Sequence, residues 1–169
     1  MAERSVLDAD VEASERPHPP SLLERAALAV GSAALLGAMA TDALAVAGRH
    51  LGVALLGSIE IVQACIVVAA TSALVFATAL GAHAQVRILL EKITPARARL
   101  LGRFGDGLSA LVFLWLAAGS GWLASDLWGG AEQTELLGIP LRWLRLLWIG
   151  GALVIAALFA LRAVRSVPE

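Results

Sequence analysis

The strongest pattern in the chain is an uncharged, mostly apolar run from Ile61 to Leu80, opened by Gly57-Ser58-Ile59-Glu60 and closed by Gly81-Ala82-His83-Ala84-Gln85-Val86 before Arg87. About twenty such residues rise about 30 Å as a helix, roughly the thickness of a bilayer's hydrocarbon core. The pattern predicts a membrane span over 57–80. Three further apolar runs predict spans over about 22–46, 108–127 and 141–161. Ser21 suits the N-cap of the first and Gly48 its stop. In the third, Gly119, Ser120 and Gly121 make one side slim enough for close helix contact, while Trp115 and Trp122 share a face. The fourth follows Ile139-Pro140 and carries Arg142 and Arg145 in its first turns, where long side chains snorkel to the interface.

Between the second and third spans the period changes. Val86, Leu89, Leu90 and Ile93 recur at helical spacing, with Arg87, Glu91 and Lys92 on the other side, which predicts a short amphipathic helix along the membrane surface. Thr94-Pro95 then reads as an N-cap and first helical position, opening a second short segment with Arg97, Arg99 and Arg103 beside Leu100, Leu101 and Phe104. Residues 1–21 hold Pro17, Pro19 and Pro20 with Glu3, Asp8, Asp10, Glu12 and Glu15. Such a segment buries no core and is expected to be a disordered tail. The first apolar run lies behind that tail rather than close behind a basic N-terminus, so it is expected to be a retained helix and not a cleaved signal. Residues 162–169 are expected to form a short second tail.

Four spans return both termini to one side. Of the 13 Lys and Arg residues, all but Arg49, Arg142 and Arg145 fall in the tails and the second loop, which marks that side as cytoplasmic. Trp122, Trp128, Trp143 and Trp148 then gather at the outer interface as an aromatic belt. The fold class expected is an all-α membrane protein, with four transmembrane helices, one short interfacial helix and both termini inside.

The polar positions within the spans carry the remaining information. At roughly 100° per residue, Glu60, Gln63, Val67, Thr71, Leu74 and Thr78 lie in one narrow stripe. An uncovered amide or carboxylate in hydrocarbon costs several kcal/mol, whereas hydroxyls bond back to their own helix. The stripe therefore calls for cover by protein, from this chain or from a partner. Asp42 shares a face with Gly31, Leu35 and Ala38, about two turns before Arg49, and that small, polar face is a second expected packing surface. Arg49 is expected to pair with Glu60 or Asp42 at the outer interface.

A mean hydropathy of +0.78, with 59% hydrophobic and 16% charged residues among 169, places the chain among polytopic membrane proteins. A net charge of -1 excludes nucleic acid as a partner, since phosphate binding needs clustered cations. The single cysteine, Cys65, forms no intrachain disulfide and supplies no metal ligand set, and reads as buried packing. No catalytic constellation stands out: there is no phosphate-cradling glycine loop, no HExxH, and no histidine beside a nucleophile. Nor is a cofactor expected. His18 lies in the tail, and His50 and His83 flank opposite ends of the second span, about 35 Å apart by helix rise, too far to share a haem within one chain. Glu60 invites comparison with the small multidrug exporters, which also have four spans and an embedded glutamate. There the acid lies in the first helix and the tails are minimal, whereas here it opens the second span.

In order and spacing, Arg49 after the first span, Ser58-x-Glu60 opening the second, Gly81-x-His83-x-x-Val86 leaving it, a basic loop with Pro95, and Gly138-Ile139-Pro140 before the fourth resemble the small membrane subunit of tripartite ATP-independent periplasmic (TRAP) transporters. The match covers roughly residues 22–161, and Arg87 departs from it where the family often carries an acid. The resemblance implies a non-enzymatic scaffold in the bacterial inner membrane. Its partners would be a large permease subunit, which holds the substrate and sodium sites, a periplasmic binding protein that delivers an organic acid or similar solute, and membrane lipids. It makes Arg49, Asp42, Glu60, Gln63, Thr71, Thr78 and His83 the candidate structural and subunit-interface residues. The alternatives from other classes are a membrane anchor for a respiratory or other peripheral enzyme, and a small multidrug exporter.

Overall fold

The computed structural model describes residues 20–81, 95–130 and 132–165. These form four long helices, α1 Leu22–His50, α2 Ser58–Leu80, α3 Pro95–Asp126 and α4 Leu141–Arg165, each long and apolar enough to cross a membrane. The expected disordered tail over 1–21 lies outside the described residues except for Pro20 and Ser21, and so do the amphipathic helix between the second and third spans, His83 and residues 166–169.

Ser21 caps α1 as expected. Its hydroxyl accepts from the Glu24 amide at 3.3 Å and the Glu24 carboxylate accepts from the Ser21 amide at 2.8 Å, a reciprocal capping box. Gly48 does not stop the helix, which runs on to His50. The chain then folds back so that the Val53 amide donates to the Gly48 carbonyl at 2.8 Å. Two boundaries correct the sequence reading. Pro95 takes the first position of a helix, but the expected short basic segment and the third span are one continuous helix of 32 residues. No proline follows Pro95 to break it, and its length of about 48 Å by helix rise carries Arg97 and Arg103 beyond a hydrocarbon core. Likewise α4 continues past Leu161, so Arg162 is a helical residue and not part of a tail.

The helices pack as α1 on α2, α2 on α4 and α4 on α3. This sets the order α1-α2-α4-α3, with α2 and α4 central and parallel and the other two flanking them. The flanking helices use small residues at alternating four and three spacing, the periodicity of a coiled-coil seam. In α1 the covered positions include Ala27, Gly31, Ala34, Ala38, Thr41, Ala45 and Gly48, with Gly37 beside them, and a methyl placed on Gly31 would lie 3.2 Å from Ser72 Cβ. Gly31 and Ala38 thus belong to the packing face as expected, but Leu35 and Asp42 do not and are exposed. In α3 the corresponding stripe is Asp106, Ala110, Phe113, Ala117, Ser120 and Ala124, continued by Leu127 just past its end, and it is small only at the alanines and Ser120. Gly119 and Gly121 have no described atom near the place a Cβ would occupy, so the slim side of α3 is not a close contact within the described residues.

A single apolar cluster, Val75, Ala110, Ile155 and Phe159 with Ala27, Leu74 and Phe113 against it, draws on all four helices. The Phe113 and Phe159 rings stack with centroids 6.1 Å apart. Most large apolar side chains elsewhere point outward, as a hydrocarbon environment allows, since lipid offers no hydrophobic drive to bury them.

Candidate functional site

The polar stripe of α2 meets α4 along their parallel contact, and side chains act on backbone at both of its ends. At the end where the two helices begin, residues 132–141 fold into a compact turn. Gln133 and Pro140 form an antiparallel bridge, the Thr134 amide donates to the Ile139 carbonyl at 3.1 Å and the Gly138 amide to the Thr134 carbonyl at 3.2 Å. The Ile139 amide donates to Thr134 Oγ1 at 3.0 Å. Gly138, at φ +64°, lets the chain reverse there. The turn aims its amides at Glu60: Leu136 and Leu137 donate to its two carboxylate oxygens at 2.8 Å each, and the Thr134 side chain and Glu135 amide lie against the same group. Glu60, only 6% exposed, sits in the first turn of α2, where free amides and the helix dipole also favour an anion. Gly57, just before α2, has φ +77°, and a Cβ there would fall 2.6 Å from Leu137 Cγ. Both the left-handed backbone and the close approach of Leu137 therefore require glycine.

Halfway along, Thr71 presses its methyl onto Gly151 of α4, so closely that any Cβ at 151 would overlap Thr71 Cγ2. Thr71 is 4% exposed, and its hydroxyl has no hydrogen-bond partner among the described residues. Thr78 is fully covered, and its hydroxyl donates back to the Leu74 carbonyl at 2.7 Å, the local solution open to a threonine in a helix. At the far end, the Arg162 guanidinium donates to the Thr78 carbonyl and, at 2.9 Å, to the Ala79 carbonyl. These are among the last carbonyls of α2, at the negative end of its dipole, and the Thr78 carbonyl also accepts from the Gly81 amide at 3.1 Å. An acid of α2 thus holds the backbone entering α4, and a base of α4 holds the backbone leaving α2.

The structure therefore brings Glu60, Thr71 and Thr78 together on one covered seam, and the cover comes from this chain. It leaves Gln63 outside that seam, exposed on α2, and Asp42, Arg49 and His50 exposed on α1. The expected pairing of Arg49 is not made: both oxygens of Glu60 are taken by backbone amides, and the one ion pair among the described residues joins Arg145 and Glu132 at 3.1 Å. Two further contacts tie α4 to α3. Arg103 donates through Nε to the Ala163 carbonyl at 3.0 Å, and the Trp148 indole donates to Ser120 Oγ at 3.2 Å. Among the described residues, no group of three or more His, Cys, Asp or Glu gathers to hold a metal.

Sequence reasoning missed Arg162, Gly151 and Thr134. An arginine at the end of a span reads as a topology marker, and nothing local says that it reaches another helix. Gly151 sits beside Gly150 in an apolar run, and only the partner helix tells which of the two is approached. Thr134, with Gly138 four residues later, was open to reading as a turn.

The model of the family described as tripartite ATP-independent periplasmic transporters, DctQ component, matches residues 38–169 of the chain. No curated protein and no solved structure matches it.

Proposed function

The chain belongs to the DctQ family, the small component of TRAP transporters, and from that premise we propose that it is the static scaffold on which a large permease subunit is held during solute uptake. The observation that carries this reading is the double clamp on α2 and α4. A side chain bonded to backbone at each end of a parallel pair fixes both rotation and register, which suits a part that stays still while another moves. In this reading the chain is not an enzyme and has no solute pathway of its own, because the covered Glu60 and Thr78 are bonded to its own backbone and Thr71 is packed against Gly151. The polar groups left outside the seam, Asp42, Arg49 and Gln63, face the large subunit, with His83 as a further candidate contact. Both termini lie on the cytoplasmic side of the bacterial inner membrane, in line with the distribution of Lys and Arg. Substrate choice and sodium coupling then reside in the large subunit and a periplasmic binding protein, with an organic acid or similar small solute as cargo.

The test is co-purification of a tagged copy from its native membrane in mild detergent, with the partners identified by mass spectrometry. A large polytopic permease is the expected companion. A redox enzyme in its place would support the anchor reading, and a homodimer that binds lipophilic cations would support the exporter reading. Either would overturn the scaffold.

A further inference from the structure

Beside the seam and between its two clamps, α2, α3 and α4 leave an open groove of about 460 Å³ that reaches down to Thr71. Ile66 and Val67 of α2 and Leu141, Leu144 and Trp148 of α4 line it, and Arg145 stands in it near the end where α4 begins. The Trp148 indole N–H and the Ser120 hydroxyl are bonded to each other, so that wall offers little unmet polarity. From Arg145 to Gly151, the level at which Thr71 meets α4, the helix rises about 9 Å, and along that rise the groove is essentially hydrocarbon. At its mouth Arg145 and Glu132 are paired at 3.1 Å, with side chains 20% and 36% exposed. That single contact uses one of five guanidinium donors and one of about four carboxylate lone-pair positions. From the loop inward, an anion, a cation and an apolar trough thus follow one another.

We propose that this groove binds one phospholipid with an ammonium-bearing zwitterionic headgroup. The phosphate lies on Arg145, the ammonium on Glu132, and one acyl chain follows Ile66, Val67, Leu144 and Trp148 down the groove. The charged mouth selects a lipid over a partner helix. A helix laid here would cover both charges with hydrocarbon side chains and strip their water without replacing it, a large desolvation cost. A headgroup replaces that water with opposite charges at both positions. The site needs only a membrane around the four helices, so it does not depend on the scaffold reading.

The experiment is native mass spectrometry of the full chain, stripped of lipid in detergent and titrated with phosphatidylethanolamine, phosphatidylglycerol, or diacylglycerol with the same acyl chains. The wild type is expected to retain one phosphatidylethanolamine and to hold it about tenfold more tightly than diacylglycerol, as loss of a charge-assisted contact implies. Arg145→Gln should weaken retention by a similar factor. Ile66→Trp, at a position already half open to lipid, should displace the acyl chain while leaving the fold intact, as its unchanged thermal midpoint would verify. Equal retention of diacylglycerol would overturn the headgroup contacts, and tighter retention of phosphatidylglycerol would overturn the role of Glu132. Unsaturating adducts indifferent to both substitutions would overturn the site. So would a benzoylphenylalanine at position 66 that crosslinks in native membranes to a polypeptide rather than to a phospholipid.

Discussion

Substituting Gly151 by alanine asks whether the parallel register of α2 and α4 is set where Thr71 touches Gly151. The added Cβ would overlap Thr71 Cγ2 and come within 3.9 Å of Val75 Cγ2. Thr71 and Val75 are both buried, and clamps on either side hold the pair, so the helices cannot easily part. Overpacking of this kind costs about 1–3 kcal/mol. For a chain of 169 residues, each kcal/mol lowers the thermal midpoint by about 2–4 °C, so Gly151→Ala, at about 1–3 kcal/mol, should lose about 2–12 °C, followed by tryptophan fluorescence in mild detergent. Thr71→Ser removes only the offending methyl and keeps the hydroxyl. Alone it should cost about 1 kcal/mol for a buried methyl lost. Together the two substitutions should be less destabilising than Gly151→Ala by itself, a coupling of about 1–2 kcal/mol between residues in contact. Additive effects, or a Gly151→Ala chain as stable as wild type, would refute the register.

Four other outcomes follow from the same geometry. Glu60→Ala should release the turn over 132–141, seen as faster hydrogen exchange at the Leu136 and Leu137 amides with Glu60→Gln intermediate; unchanged exchange would mean that the carboxylate does not hold them. Arg162→Met should fray the end of α2, costing about 1.5–3 kcal/mol for charge-assisted bonds lost, and protection of the last α2 amides that survives the change would count against this. Gly57→Ala forces a side chain into a left-handed backbone and against Leu137, and should lower the thermal midpoint more than Ala→Gly at exposed Ala70 does; the reverse order would contradict the assigned turn. Asp42→Asn and Arg49→Gln, both at exposed positions, should change the isolated chain by less than about 0.5 kcal/mol, and a larger loss from either would restore the ion pair that the structure lacks.

The number of spans was legible because an apolar run long enough to cross a bilayer has few other readings, but the helix ends were not, since α1, α3 and α4 all extend beyond the apolar runs. Ser21 and Pro95 were legible because each acts on its nearest neighbours. The polar stripe of α2 was read as needing cover, and Glu60, Thr71 and Thr78 have it. What covers them was not legible, since a period of 3.6 gives a face its direction but not its neighbour. The same limit explains Asp42. The faces through Gly31, Leu35, Ala38 and Asp42 and through Gly31, Ala34, Ala38 and Thr41 share two residues and differ by one position in the others. The chain packs the second because alanine and threonine let the backbones approach and leucine and aspartate do not. The small-residue periodicity of α1 was present in the sequence, and it, rather than Asp42, marks the face that packs.

The placement of the clamps follows from the solvent. In water, α2 and α4 would be held chiefly by their apolar faces, but in a bilayer apolar contact gains little over lipid, and close packing and polar contacts carry more of the association. A pairing of two side chains could satisfy this and still permit rotation. The turn over 132–141 instead offers two amides fixed by its own hydrogen bonds, and the end of α2 offers carbonyls fixed by the helix, so Glu60 and Arg162 each grip rigid backbone. Slippage by one turn, about 5.4 Å, would free both groups at once and drive Thr71 away from the only glycine on the facing side of α4. The three contacts are therefore mutually dependent, and the pair has one register in which all are made.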